Sequence, residues 1–374
     1  MNSLPGADRM RRLLCSRGRH TRGGPDGTRS VAVRHRPGWP LPVLAFLLFG
    51  VVVCALCVGA YPIPLHTLAA IAFGRDTGDM MARAVAWDIR LPRVLAGIVG
   101  GATLGAAGCA MQALFRNPLA DPGLIGVSSG AALGASAAIV LFPASGTVLV
   151  MAWQVAVLPL GAFAGALVVV ALVYRLGAVG GALVVQWLLL AGIAVNAMVG
   201  AVIGLLGYVA TDAQLRSLTF WSLGSLASGG WSMLGAMLVP AFLGWGLLLR
   251  HRHALTVFQL GEADAQAVGI DVRRVKRDAL LATALCVGGV VCQTGVIGFI
   301  GLVAPHCLRL LCGPDLRRVL PGAMLLGALL VVSADLLART IAAPADIPIG
   351  ILTALIGAPF FMSLLLRRKR MAGF

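Results

Sequence analysis

The sequence predicts an all-α protein that crosses a membrane about ten times. Of its 374 residues, 59% are hydrophobic and only 12% charged, with a mean hydropathy of +0.92. Apolar runs of about twenty residues, the length that spans a hydrocarbon core, recur along the chain, and the charge is confined to the short segments between them. A soluble chain of this length needs far more charge to cover its surface. The formal net charge of +16 would suit a nucleic-acid binder. Its placement argues otherwise: nine arginines lie in the first 36 residues and most of the rest in short inter-run segments, as in the cytoplasmic parts of a membrane protein.

Residues 1–38 are rich in Arg, Gly and Pro and hold no apolar run, so they read as a disordered basic cytoplasmic tail. A signal peptide would need an apolar core directly behind its basic start, and the Arg11-Arg12 pair stands too far from the first apolar run for a twin-arginine signal. Behind the tail, residues 39–370 form one membrane domain. Its candidate spans are 41–60, 92–114, 123–142, 149–174, 186–208, 232–249, 279–300, 303–313, 320–339 and 348–366. The eighth is too short to cross alone. With the N-terminus inside, 24 of the 30 Arg and Lys fall on inner segments and six outside, a split that sets the orientation with both termini cytoplasmic. Trp39, Tyr61, Trp87, Tyr174, Trp187, Tyr208 and Trp231 fall at the predicted helix ends, where an interfacial aromatic belt belongs. Glycines such as Gly97, Gly101, Gly105 and Gly108 suit close helix packing in lipid. Cys54, Cys57, Cys109, Cys286 and Cys292 lie inside apolar runs and act as small hydrophobes; no metal site is expected. The stretch Ala120-Asp121-Pro122-Gly123-Leu124-Ile125-Gly126 is echoed by Ala345-Asp346-Ile347-Pro348-Ile349-Gly350 on the opposite side, as an inverted five-plus-five repeat would produce.

Several chemistries have no residues to run on. The two lysines, Lys276 and Lys369, sit in no phosphate-cradling loop, so the chain has no ATP site of its own. Ionisable groups deep in the spans, which an ion-coupled carrier would use, reduce to Asp335 with Arg339 one turn later. No nucleophile motif or haem-ligand pair is present, and His306 after Pro305 reads as a polar group at a helix end. The remaining feature is the inner segment 255–278. Glu262 to Val268 makes about two helical turns with Glu262 and Asp264 at the favoured end, Gly269 stops it, and Asp271 can cap a second short helix. Such a charged helix–turn–helix is either a solvated loop or a docking element for a cytosolic motor.

At these residues a family resemblance enters. The chain resembles permease subunits of bacterial ABC importers for iron–siderophore complexes, haem and cobalamin, over about residues 40–370. The resemblance rests on ordered motifs: Arg90-Leu91-Pro92-Arg93; Gln112-Ala113-Leu114-Phe115-Arg116-Asn117-Pro118-Leu119-Ala120; Gly126-Val127-Ser128-Ser129-Gly130-Ala131; and Leu190-Ala191-Gly192. Further on come Gly261-Glu262-Ala263 with Gly269, Gly298-Phe299-Ile300-Gly301-Leu302-Val303-Ala304-Pro305-His306, and Pro348-Ile349-Gly350 with Gly357-Ala358-Pro359-Phe360.

The resemblance implies a ten-helix subunit of the bacterial inner membrane that works as a homodimer. Two copies of a cytosolic ATPase would carry the ATP and Mg, a periplasmic binding protein would deliver the substrate, and this chain would bind no cofactor. It implies ATPase coupling through Gly261, Glu262, Ala263, Asp264, Gly269 and Arg273, and a cytoplasmic gate at Asn117, Pro118, Leu119, Val184 and Val185. It also implies a basic rim of Arg90, Arg93 and Arg339 that meets acidic residues of the binding protein. The plainer reading of the rim is three helix-end anchors, with Asp335 neutralising Arg339. The stretch 121–126 looks closer to haem and cobalamin permeases than to many siderophore permeases, which favours haem as cargo. Cobalamin or an iron–siderophore complex is the alternative within the family, and an ion-coupled secondary transporter the alternative outside it.

Overall fold

The computed structural model describes residues 40–75, 79–142, 148–180, 182–227, 229–343 and 345–371. The basic tail expected at 1–38 lies outside the described residues. The described residues cluster as one compact unit. Each of the ten apolar runs is helical, so the all-α polytopic class follows directly from the sequence.

The first run forms α1, Pro40–Cys57, most of whose side chains face away from the protein. Two short helices that the sequence did not announce follow, α2 (Leu65–Ala72) and α3 (Met80–Ala84). Asp79 caps α3 by accepting from the Ala82 amide, and a π-helical turn, Val85–Arg90, joins α3 to α4, Leu91–Leu114. The whole of Met80–Leu114 is thus one continuous rod of 35 residues, twelve longer at its start than the expected span. Pro92 lacks the amide that a continuous helix would offer to the preceding turn, and the π-helical turn Val85–Arg90 just before it is where the rod accommodates that gap.

α4 is the centre of the molecule, with almost every side chain buried and the helices at 231–258, 272–294, 300–312 and 316–341 packed around it. Its glycines make this possible. A Cβ at Gly101, Gly105 or Gly108 would collide with the carbonyls of Gly327, Ala323 or Gly301 respectively, so the helices touch backbone to backbone. After α4, Arg116 takes a left-handed conformation (φ 49°) and a 3-10 turn at Pro122–Ile125 leads through Gly126 (φ 82°) into α5, Val127–Leu141. Asp121 caps that turn by accepting from the Gly123 amide at 2.7 Å. Burial pushes its carboxyl above the ordinary range, against the amide that favours the charged form.

Next come α6 (Val148–Gly177), a two-stranded hairpin β1 (Ala178–Val179) and β2 (Ala182–Leu183), and α7 (Val185–Val209). The amphipathic α8 (Asp212–Ser222) opens with a full capping box between Thr211 and Gln214. Then follow α9 (Trp231–Phe258), α10 (Glu262–Ala267), α11 (Val272–Thr294), α12 (Ile300–Cys312), α13 (Leu316–Ile341) and α14 (Ile349–Met371).

Three boundaries correct the sequence reading. α9 runs nine residues past the apolar stretch, since arginine continues a helix as readily as leucine once it leaves the hydrocarbon. Asp271 caps no second short helix. It accepts from the Arg274 amide at the head of α11, which carries on through the core. α11 then stops at Thr294, six residues early, because Gly295 turns to φ 70°. The eighth helix, α12, has 13 residues and so reaches about 20 Å, short of the roughly 30 Å hydrocarbon core. Its approach through residues 295–299 is non-helical backbone held partly from within the protein. Gly295 N donates to the Val291 carbonyl, the Thr294 hydroxyl donates to the Gly295 carbonyl, and the Gly298 and Phe299 carbonyls accept from Ile300 N and Val303 N. One pair of contacts is related as an inverted repeat would relate it, α13 on α4 and α6 on α11, whereas α9 packs closely on α11 and the counterpart pair, α1 and α4, only touches.

Candidate functional site

α4 connects two polar regions at opposite ends of the bundle. At its start sit Arg90, Arg93 and Arg339, which the fold brings together as the sequence reading expected. Their condition differs from that of free rim charges. Arg90 is only 4% exposed; it donates to the Leu56 and Cys57 carbonyls at 2.7 and 3.0 Å and to the Tyr61 carbonyl. Arg339 donates to the Ala55 carbonyl. Two arginines therefore cap the last turn of α1, where carbonyls lack partners and the helix dipole favours a cation.

Arg93 grips Asp335 through Nε and Nη2, at 3.0 and 2.9 Å, and Asp346 through Nη1 at 2.9 Å. The expectation that Asp335 serves Arg339 is thus corrected: that pair is 3.9 Å apart, and the close partner of Asp335 is Arg93. Three arginines against two carboxylates leave the cluster one net positive charge, and the hydrogen bonds it donates go to this chain, with Arg339 Nε buried and lacking a hydrogen-bond partner among the described residues. Beside it Tyr61 donates to Asp79 at 2.9 Å. The Ala82 amide first and the Tyr61 hydroxyl second hold the Asp79 carboxyl below the usual range.

At the other end, α10 presents the residues of the coupling reading. Gly269 takes φ 83° as the residue after the helix cap, with Gly269 N donating to the Gln266 carbonyl at 2.9 Å and Ile270 N to the Ala265 carbonyl at 3.0 Å. That double closure requires a left-handed residue, which only glycine adopts without strain. Ala263, Asp264, Gln266, Val268 and Gly269 are exposed, as are Arg273 and Arg274 on α11, while Ala265 is buried beneath them. The result is a small-residue knob with a 66%-exposed Val268 at its tip, unlike a merely solvated loop.

Arg116, the neighbour of Asn117, shares a cavity of about 360 Å³ with Val184, Val185, Glu262, Arg273 and Lys276, so the start of α7 and the α10 helix adjoin one space. The Asn117 side chain accepts from the Leu119 amide at 3.0 Å, closing an Asx turn, and the Pro118 carbonyl meets His306 Nδ1 at 3.2 Å. Arg309 locks this end by donating to Gln112 Oε1 at 3.0 Å and to Gln259 Oε1, while Gln112 Nε2 donates to the Leu302 carbonyl. Among the described residues, no group of three or more His, Cys, Asp or Glu is placed to hold a metal.

Sequence reasoning missed Lys276. It sits in the basic run Arg273-Arg274-Val275-Lys276-Arg277, which reads as solvated, yet it is 4% exposed. The signal was available in the spacing: Val272, Val275, Lys276 and Ala279 form one i, i+3, i+4, i+7 face, and all four are buried.

Residues 46–367 match the FecCD transport family. The chain belongs to that family. Among FecCD relatives it is 43% identical to the hemin transport system permease protein HmuU of Yersinia pestis, over 88% of this chain and 97% of the relative. It is 38% identical to the cobalamin import system permease protein BtuC of Halobacterium salinarum, over 91% of this chain and 89% of the relative. The fold is similar to that of an inward-facing metal-chelate-type ABC transporter, with a TM-score of 0.76 at 32% identity, covering 87% of this chain and 98% of that one.

Proposed function

We propose that this chain is the permease subunit of an ATP-driven importer that carries haem across the bacterial inner membrane. The observation that carries this reading is the 43% identity to a hemin permease along almost the whole of that relative. The knob at α10 supports the rest. A small, rigid, exposed helix end beside the gate cavity is what a separate ATPase needs in order to push on the pathway. In this reading two ATPase copies, holding ATP and Mg, dock on the α10 ends of a homodimer. Both termini are cytoplasmic, and the chain binds no cofactor and no nucleic acid.

The binding protein docks at the arginine-cluster end, where Arg90, Arg93 and Arg339 shape and brace the surface and supply one net positive charge. The gate comprises Asn117, Pro118, Leu119, Val184 and Val185. Cobalamin is the second cargo reading, favoured by the 38% identity to a cobalamin permease. An ion-coupled carrier is disfavoured, because Asp335 is already held by Arg93.

Co-reconstitution of this chain with its ATPase and binding protein in vesicles tests the reading. ATP-dependent uptake of hemin, exceeding that of cyanocobalamin or a ferric siderophore, is expected. Uptake driven by an ion gradient without the ATPase would contradict it.

A further inference from the structure

Lys276 touches three other elements at once. From α11 its Nζ reaches Glu262 of α10 at 2.7 Å and donates to the Leu183 carbonyl of β2 at 2.7 Å. It also lies 5.8 Å from the ring centroid of Phe258, the last residue of α9. Phe258 is fully buried, so the ammonium rests against an apolar floor with two oxygen partners above it. The next residues after Leu183 are Val184, which caps α7, and Val185, its first residue. Glu262 is the first residue of α10. One buried ammonium therefore joins the coupling helix to the segment that opens α7, across the wall of the cavity they share.

We infer that Lys276 is a positioning residue that relays displacement of α10 to the gate segment at Val184 and Val185. The inference rests on the importer reading above. When the ATPase shifts α10, Glu262 draws the ammonium, and the Leu183 carbonyl moves with it because the lysine has no exposed face on which to part from either oxygen. A buried charge released from one partner must keep the other, since leaving both would strand it unpaired away from water. Being buried, Lys276 cannot act by touching the ATPase itself. The relay also gives the short β1–β2 hairpin a purpose: strand pairing ties Leu183, whose carbonyl moves, to Ala178 just after α6.

The test uses the complete complex in vesicles, with hemin as cargo and nitroxide labels at position 184 of both subunits. Lys276→Met keeps the stem over Phe258 and removes the charge. Hemin imported per ATP hydrolysed should fall about tenfold, within the usual range of coupling between sites. The nucleotide-dependent change in the 184–184 distance should be lost, and Lys276→Arg should restore part of both. Glu262→Gln, made at the less buried partner, should act in the same direction, and the double variant should be no worse than Lys276→Met alone.

A purely structural tie would lower thermal stability and leave the import ratio and the distance change intact, which would overturn the relay. If Lys276→Met fails to fold, Glu262→Gln decides, and a wild-type import ratio in that variant overturns the relay. A wild-type complex with no ATP-driven hemin import would overturn the importer reading and the relay with it.

Discussion

The two ends of the bundle are built differently. At the arginine-cluster end, three cations from α4, its π-helical approach and α13 spend their donors on the last carbonyls of α1 and on two carboxylates. At the α10 end, a six-residue helix rests on one buried residue, Ala265, and one buried lysine, and turns its other faces outward. The first arrangement fixes helices relative to one another through contacts that are costly to break. The second leaves an element attached at a few points and free to be pushed. A transporter driven from one side needs both, a brace and a lever.

Breaking the brace should give the largest effect. Arg93→Ala leaves the Asp335 carboxylate, with its side chain 4% exposed, buried without its close partner. That should cost about 3–5 kcal/mol, read as a lower melting temperature and a poor yield of monodisperse protein in detergent. Arg93→Lys should recover little, since a point charge cannot hold Asp335 and Asp346 in one fork. An unchanged melting temperature in Arg93→Ala would remove the brace.

Arg90→Ala comes next. It uncaps the end of α1 and should lower stability by about 2 kcal/mol, the scale of a hydrogen bond from a charged donor. Increased hydrogen exchange at residues 56–61 should accompany the loss. Protection there unchanged from wild type would mean that Arg90 is not the cap.

At the lever, stability and function should separate. Gly269→Val meets open space but must hold φ near 83°, a strain of about 1–2 kcal/mol. Its melting temperature should fall less than that of Arg93→Ala, while substrate-stimulated ATP hydrolysis by the bound ATPase falls further. Equal stimulation in wild type and Gly269→Val would deny α10 its coupling role.

How much of this was legible in the sequence depends on what lipid forces a chain to show. The ten runs were visible because a helix in hydrocarbon must be apolar along about twenty residues. Their ends were not, because charge marks where the membrane stops and not where the helix stops: α9 carries Arg250 and Arg252 just past the apolar run and continues to Phe258. The amphipathic α8 was missed because eleven residues with little net apolarity lack a membrane signal, although Thr211 and Gln214 spell a capping box. The α10 residues were legible since acid at the start and glycine at the stop are local features. The arginine cluster was legible only as three positions. Arg93 meets Asp335 across 242 residues and Arg339 meets Ala55 across 284, distances at which no spacing rule operates.

The most direct test of a braced end opposed to a driven end is hydrogen exchange of the complete complex with and without ATP. Backbone protection should change at residues 178–186 and 261–272 and stay constant at 55–61 and 90–93. Equal changes at both ends, or a change confined to the arginine cluster, would contradict the account.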